Sequence, residues 1–114
     1  MTWDIIQNNF PEDREEMSEE RQKEFVEFAF KAYEEEGFAK VYWTPYEFSE
    51  DKIGKSFEVL GRLSEATTEL NELPMWNIMF KDGTIIQAYP EEVIPSMMQL
   101  NGCLIEEVLA QVKD

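Results

Sequence analysis

The strongest constraint on the fold is an Asp82-Gly83 pair that lies between two apolar runs, residues 76–80 and 84–89. An Asp-Gly pair between runs of this kind predicts a β-hairpin, because glycine readily adopts the positive φ that tight hairpin turns require. Pro90 follows the second run and predicts its end, since proline cannot donate a hydrogen bond to a strand ladder. A short helical turn is predicted after it, at residues 91–94.

Two registers of this hairpin are possible. A two-residue turn would place Gln87 opposite Ile78, an amide against a buried aliphatic side chain. A three-residue loop over residues 81–83, with Gly83 at positive φ, separates polar from apolar faces better. We therefore predict the second register, which pairs Ile78 with Ile86, Trp76 with Ala88 and Asn77 with Gln87.

Two further strands are predicted before the hairpin. Residues 55–63 alternate between apolar and polar side chains and contain Gly61, which indicates a strand with a bend. Residues 38–48 are rich in β-branched and aromatic residues but contain Pro45, which is typical of an edge strand followed by a turn. Residues 49–54 are predicted to be a loop. The polar stretch 64–73 is compatible with a short helix or an irregular loop, and we favour the loop.

A long helix is predicted over residues 18–36. Ser18 is a suitable N-cap, and glutamates in the first turn favour the positive end of the helix dipole. Phe25, Phe28, Ala29 and Ala32 lie at helical spacing, and Val26, Phe30 and Tyr33 widen this apolar stripe enough to require burial against a sheet. Gly37 supplies the C-cap.

The predicted fold class is α+β, with this amphipathic helix packed on a small, mostly antiparallel sheet. The last apolar residues follow an Asn-Gly turn at helical spacing and predict a short C-terminal helix. With 114 residues, 43% of them hydrophobic, the chain has the size of one domain. We predict a single domain over residues 1–114, with a helical part at about 1–37, a β-rich part at about 38–94 and a C-terminal tail or helix at about 95–114.

Residues 53–94 resemble a small SH3-like barrel. The sequence GKSFEVLGR matches a barrel strand, and WNIMFKDGT matches the hairpin that follows, before a short helical turn. The stretch 64–73 is longer than the connection usual in that architecture. In Tudor-like members of the architecture, ligands meet an aromatic cluster, and the resemblance implies this role for Trp76 and Tyr89.

The charge of the chain restricts its partners. Twenty-five acidic and ten basic side chains give a net charge of -15, which repels nucleic-acid phosphates and anionic membranes but attracts a basic protein surface. No run approaches the roughly 18 apolar residues that span a bilayer, and the N-terminus lacks a signal-peptide pattern. Cys103 is the only cysteine, so no intrachain disulfide can form. These features predict a cytoplasmic protein.

The residue types argue against most catalytic and cofactor chemistry. The chain has no histidine, which removes the usual general base of nucleophilic hydrolysis and the commonest transition-metal ligand. The glycines are isolated and form no phosphate-binding loop. Paired glutamates, including Glu91-Glu92, are predicted to lie on the solvated surface, because adjacent side chains on a helix do not converge. We predict no enzyme, no catalytic residue, no metal and no cofactor.

Aromatic and acidic side chains are the remaining candidates for binding. Tyr42, Trp43, Tyr46 and Phe48 lie close together in the sequence and could approach Trp76 and Tyr89 in the fold. Such a cluster would form a cage for a peptide or cation, although core packing is the usual fate of aromatic residues in a small domain. The predicted partner-binding residues are Trp43, Tyr46, Trp76, Tyr89, Glu19, Glu20 and Glu24.

Two functions follow from these residues. The first is a protein-interaction module in which acidic surroundings recruit a basic partner and aromatic side chains anchor it. The alternative is an acidic inhibitor that imitates DNA. Residues 12–27 carry eight acidic and three basic side chains, net -5. A helix of that length spans about 22 Å, over which DNA carries about 13 charges, so one helix alone would be a poor mimic.

Overall fold

The computed structural model describes residues 2–63 and 74–110. In this part of the chain, two 3₁₀ helices (Arg14–Glu16 and Glu47–Lys52) accompany the helices and strands. The order is α1 (Thr2–Asn9), α2 (Glu19–Glu36), β1 (Phe57–Arg62), β2 (Trp76–Phe80), β3 (Ile85–Ala88), α3 (Pro90–Val93), α4 (Pro95–Leu100) and α5 (Ile105–Ala110). No helix in residues 2–63 or 74–110 is long and apolar enough to span a bilayer.

The predicted long helix is confirmed as α2. The Ser18 hydroxyl accepts a hydrogen bond from the backbone N–H of Arg21 at 3.2 Å, which is an N-cap contact. Gly37 follows the last helical residue with φ of +95°, and its N–H donates to the carbonyl of Tyr33 at 3.1 Å. This positive φ explains the glycine at the end of the helix.

The buried face of α2 lies within the predicted stripe but is rotated toward Phe30 and Tyr33. Its most buried side chains are Phe25, Ala29, Phe30 and Tyr33, whereas Phe28 and Ala32 are only half-buried. The rotation arises because Phe30 and Tyr33 pack against the same tryptophan of β2, which turns this face toward the sheet.

The hairpin of β2 and β3 has the predicted register. Ile78 pairs with Ile86, Trp76 with Ala88 and Asn77 with Gln87. At the turn, the N–H of Phe80 donates to the carbonyl of Thr84, and the N–H of Gly83 donates to the carbonyl of Phe80, both at 2.9 Å. Gly83 has φ of +89°, so the three-residue loop is confirmed.

The three described strands form one antiparallel sheet in the order β1-β2-β3. The pairing of β1 with β2 is interrupted by a bulge between Val59 and Gly61, where Gly61 has φ of +153° and supplies the predicted bend. The sheet of these strands is open, so the structure confirms the α+β class but forms no closed barrel.

The predicted edge strand at residues 38–48 is wrong. Among the described residues, the segment forms no strand and makes one isolated bridge, between Val41 and Ser56, just before β1. Its backbone bonds on two sides: Tyr42 exchanges hydrogen bonds with Lys55 and Gly54 at 2.8 and 2.9 Å, while the N–H groups of Ala39 and Trp43 donate to Val93 and Glu92 of α3. The predicted loop at 49–54 is also corrected, since most of it belongs to the 3₁₀ helix Glu47–Lys52. The predicted loop 64–73 lies outside the described residues.

The C-terminal part is more helical than predicted. The expected turn at 91–94 is α3, and α5 is the expected last helix, whose final predicted residues lie beyond those described. Helix α4 between them was not predicted. At the other end of the chain, α1 buries Ile6 against the core.

Two hydrophobic clusters hold these elements together. The larger one joins α1 and α2 to the inner face of the sheet and includes Trp76, which is fully buried. The smaller one lies under α4 and α5 and consists of Val41, Met98, Cys103 and Val108. Residues 41–49 connect the smaller cluster, which includes Val41, to the end of β3, where Ser49 lines the candidate site.

Candidate protein-interaction site

Three aromatic rings meet where β3 ends and the 3₁₀ helix Glu47–Lys52 begins. Tyr46 and Phe48 are stacked, with ring centroids 5.5 Å apart and planes inclined by 10°. Tyr89 meets Tyr46 at 6.3 Å and 65°. Phe48 is 75% exposed, although it is one of the largest apolar side chains. We call Tyr46, Phe48 and Tyr89 the aromatic ledge.

A groove of about 500 Å³ lies beside the aromatic ledge. Phe48 and Ser49 line one part of it, and residues 85–87 of β3 line another. Met75, Asn77 and Tyr89 complete the lining, which includes no charged side chain among the described residues. We call this the β3 groove. Its volume lies in the range of about 300 to 1,000 Å³ that is usual for binding sites.

A cluster of polar side chains is buried beneath the ledge. The Tyr42 hydroxyl donates to Oε2 of Glu92, and the backbone N–H of Tyr89 donates to Oε1 of the same carboxyl group at 3.1 Å. Thr44 and Ser49 are also buried, and the hydroxyl of Thr44 accepts a hydrogen bond from the backbone N–H of Tyr46 at 3.1 Å. These bonds fasten the segment that carries the ledge to α3, and thereby fix the ledge beside β3.

Burial changes the acidity of the groups in this cluster. Glu92 is 1% exposed, and burial raises its pKa above the ordinary value. The neighbouring Glu91 raises the pKa further, while hydrogen bonds from Tyr42, Tyr89 and Thr44 oppose the shift. Burial and the contact with Glu92 also raise the pKa of Tyr42.

Glu91 connects the ledge directly to α3. Its Oε1 accepts a hydrogen bond from the Tyr46 hydroxyl at 2.8 Å, and burial together with this bond raises the pKa of Tyr46 to about 12. Both Glu91 and Glu92 are buried, so the prediction that this pair is solvated surface is wrong. The pair is buried because tyrosine hydroxyls about 45 to 50 residues earlier supply hydrogen bonds that the local sequence does not reveal.

The four predicted aromatic binding residues occupy different places. Tyr46 and Tyr89 come together in the ledge, as the cluster hypothesis requires. Trp76 is 0% exposed and packs its ring edge-to-face on Phe30 at 5.4 Å and on Phe38 at 5.2 Å. It presents no side-chain surface to a partner. Trp43 is half-buried and packs on the smaller hydrophobic cluster rather than on the ledge.

The three predicted acidic binding residues, Glu19, Glu20 and Glu24, are exposed on the first turns of α2. Glu24 forms an ion pair with Arg21 at 3.1 Å. No hydrogen bond or ion pair within the described residues joins them to the ledge. The sequence analysis grouped Phe48 with its aromatic neighbours but did not include it among the predicted partner-binding residues. The charged residues near it, Glu47 and Glu50, were the available sign that its side chain is exposed.

The chemistry of the described residues includes no candidate metal centre. No group of three or more acidic or cysteine side chains in residues 2–63 and 74–110 is arranged to hold a metal ion. Cys103 is buried, and burial raises the pKa of its thiol, which disfavours the nucleophilic thiolate.

The fold and site together define an α+β protein with an exposed aromatic ledge beside β3, the last strand of the described sheet. Comparisons with known protein families, with curated proteins and with solved structures found no match to the chain.

The buried carboxyl group makes a testable contribution to the pH dependence of stability. Because the pKa of Glu92 is higher in the folded than in the unfolded protein, its contribution is fully present below the unfolded pKa of about 4.3 and is lost as pH rises through the folded pKa. We expect Glu92→Gln to become more stable relative to the unmodified protein as pH is raised from about 4 to 7. Chemical denaturation at several pH values measures this difference.

Glu20→Gln is the matched control, because it makes the same change of charge at an exposed position. Its stability relative to the unmodified protein should vary less over the same pH range. A Glu92→Gln difference that stays constant with pH would contradict the assignment of a raised pKa to Glu92.

Proposed function

We propose that this protein is a non-enzymatic protein-interaction module whose aromatic ledge binds a partner with a basic surface. The observation that carries the proposal is the exposure of Phe48, stacked on Tyr46 at the rim of the β3 groove. Large aromatic side chains that remain exposed next to a concave surface are typical anchors of protein interfaces. The buried hydrogen bonds beneath the ledge support the same role, since they position it before any partner arrives.

The charges around the ledge favour a basic partner. Glu47, Glu50 and Asp51 are exposed and lie in the same 3₁₀ helix as Phe48, and the β3 groove has no basic side chain in its described lining. The stacked rings of Tyr46 and Phe48 offer faces on which a lysine or arginine side chain could lie. The net charge of -15 would raise the rate of encounter with such a partner.

The arrangement of the acidic side chains gives less support to the DNA-mimic alternative. A mimic requires a continuous band of negative charge. Two arginines interrupt that band on α2, because Arg21 pairs with Glu12 and Glu24, and Arg62 pairs with Glu27 and Glu34. The carboxyl groups of α3 are buried and add nothing to a surface band.

The buried carboxyl groups also give little support to catalysis. Glu91 and Glu92 receive their hydrogen bonds from Tyr46, Tyr42 and the backbone, rather than converging on an open cleft. General acid or base catalysis requires the carboxyl group to reach the substrate within hydrogen-bonding distance. The geometry therefore favours a structural role for these groups.

The proposal is tested by Phe48→Ala in affinity capture from the native host. We expect basic proteins captured by the unmodified chain to be lost with Phe48→Ala, with affinity falling about tenfold or more for a central aromatic anchor. Capture should also weaken as salt is raised past about 0.1 M, where the screening length is about 10 Å.

The matched control is Leu60→Ala, which removes another exposed apolar side chain, on β1. It should leave capture unchanged. Equal capture by the unmodified protein and by Phe48→Ala, or capture that is insensitive to salt, would contradict the proposed function.

A further inference from the structure

Among residues 2–63 and 74–110, no strand pairs with the outer edge of β3. In the order β1-β2-β3, β3 pairs only with β2 among the described strands. The N–H of Phe80 donates to the carbonyl of Thr84, which makes that pair hydrogen-bonded and the next pair, Met79 with Ile85, non-hydrogen-bonded. The N–H and C=O groups of Ile85, and by the same alternation those of Gln87, therefore point away from β2.

β3 contributes three residues to the lining of the β3 groove, which also extends over Asn77 of β2. Residues 85–87 line the groove together with Phe48 and Ser49 of the 3₁₀ helix. Ile85 is 55% exposed, so an apolar side chain stands beside the outward-facing backbone groups. An extended peptide that runs along β3 and reaches into the groove would meet the outward-facing backbone groups of Ile85 and Gln87 and the ring of Phe48. This is the arrangement used when a peptide adds a strand to a sheet edge.

Charge decides among the possible occupants. Glu47 and Glu50 flank the two residues of the 3₁₀ helix that line the groove, and both are exposed. A second copy of this chain carries a net charge of -15 and would be repelled. The stretch 64–73 of the chain itself has three glutamates and no basic residue, so its charge does not complement this rim. A peptide with lysine or arginine side chains does.

We propose that an extended basic peptide segment of the partner adds to β3 as a fourth strand and lays alternate side chains into the β3 groove. This inference rests on the proposed function, because it specifies how the basic partner would bind at the ledge. The backbone of the peptide would bond to Ile85 and Gln87, while its cationic side chains would face the carboxylates of Glu47 and Glu50.

The probe is a blocked seven-residue peptide of alternating lysine and valine, titrated into isotope-labelled protein while the backbone amide resonances are followed by NMR. We expect the amides of Ile85, Gln87 and Phe48 to shift. Two further peptides carry N-methyl groups, one on every valine and the other on every lysine. Since alternate N–H groups of a strand point to the same side, only one of the two should bind about tenfold or more weakly.

A pair of protein variants tests the same edge. Ile85→Pro removes the outward N–H without removing a bond from the β2–β3 ladder, which proline tolerates on edge strands. Ile85→Val keeps that N–H and is the matched control. We expect about tenfold weaker peptide binding for the proline variant and little change for the valine variant.

The outcomes separate this inference from the proposed function. If a glutamate–valine peptide binds as well as the lysine–valine peptide, or if Phe48→Ala binds it unchanged, the proposed function fails. If binding requires Phe48 and lysine but is unchanged by both N-methylated peptides and by Ile85→Pro, the function stands and strand addition is overturned. A lysine–valine peptide that shifts no amide of β3 also overturns strand addition.

Discussion

Ala29→Asp is expected to abolish the cooperative folding of this protein. Ala29 is almost fully buried, on the face of α2 that packs in the larger hydrophobic cluster. A carboxyl group placed there without a hydrogen-bonding partner costs several kcal/mol, which is comparable with the whole stability of about 5 to 15 kcal/mol of a small domain. Thermal unfolding followed by circular dichroism measures the loss.

Phe28→Asp provides the comparison on the same helix. Phe28 lies one position away and is half-buried against Phe10, with ring centroids 5.5 Å apart, so its carboxyl group could reach water. We expect this variant to be destabilised but still to unfold cooperatively. An unchanged melting transition for Ala29→Asp would contradict the orientation of α2 described here.

Trp76→Ala is expected to lower the free energy of unfolding by about 3 to 5 kcal/mol, the usual cost of removing a large buried aromatic ring. The ring of Trp76 is fully buried and makes edge-to-face contacts with Phe30, Tyr33 and Phe38. Its indole N–H also donates to Oε2 of Glu34 at 3.1 Å. Chemical denaturation with the slope held common to both proteins measures this loss.

Trp43→Ala is the control, because it makes the same change of side chain at a half-buried position. We expect it to lower the free energy of unfolding by less than Trp76→Ala does. The pair also bears on the binding hypothesis. If Trp76→Ala left stability unchanged while weakening the capture of a partner, Trp76 would be a binding residue rather than a core residue.

Helix α2 and the β2–β3 hairpin could be predicted because their determinants are close together in the sequence. Ser18 caps a helix that starts at the next residue, and Gly83 lies within the turn it permits. The register followed from one comparison, the choice between Gln87 and Ile86 opposite Ile78. Such local signals act whatever the rest of the chain does.

Features that depend on distant partners were not predictable in this way. Residues 38–48 have the composition of a strand, but their backbone bonds to α3, about 50 residues further along the chain. Glu92 has the appearance of a surface residue, and its burial depends on the hydroxyl of Tyr42. In both cases tertiary contacts override local preference.

The candidate site was predictable in part for the same reason. Tyr46 and Tyr89 were grouped together from the sequence, and they meet because the hydrogen bonds of Tyr42 and Tyr46 to α3 hold this segment beside the end of β3. Trp76 faces the core and Phe48 faces solvent, and the charged residues near Phe48, Glu47 and Glu50, were the only local sign of this difference. Trp76 is buried because its side chain lies on the inner face of the sheet. Phe48 stays exposed because the buried hydrogen bonds beneath the ledge fix its position.

The two ends of α2 differ in how they acquire their stability. The first turn has its cap and its favourable glutamates within the helix itself. The last turn contains glutamates that oppose the helix dipole, and two of them find partners elsewhere: Glu34 binds Arg62 of β1, and Glu36 accepts hydrogen bonds from the backbone and side chain of Ser96. The contact of Glu34 with Arg62 closes a loop of about 28 residues, and that of Glu36 with Ser96 closes a loop of about 60. Closing these loops costs chain entropy, so the contacts form only when the distant segments have folded next to α2. The helix should therefore nucleate at its start, and its final turn should become ordered only after β1 and α4 have docked, in the last stage of folding.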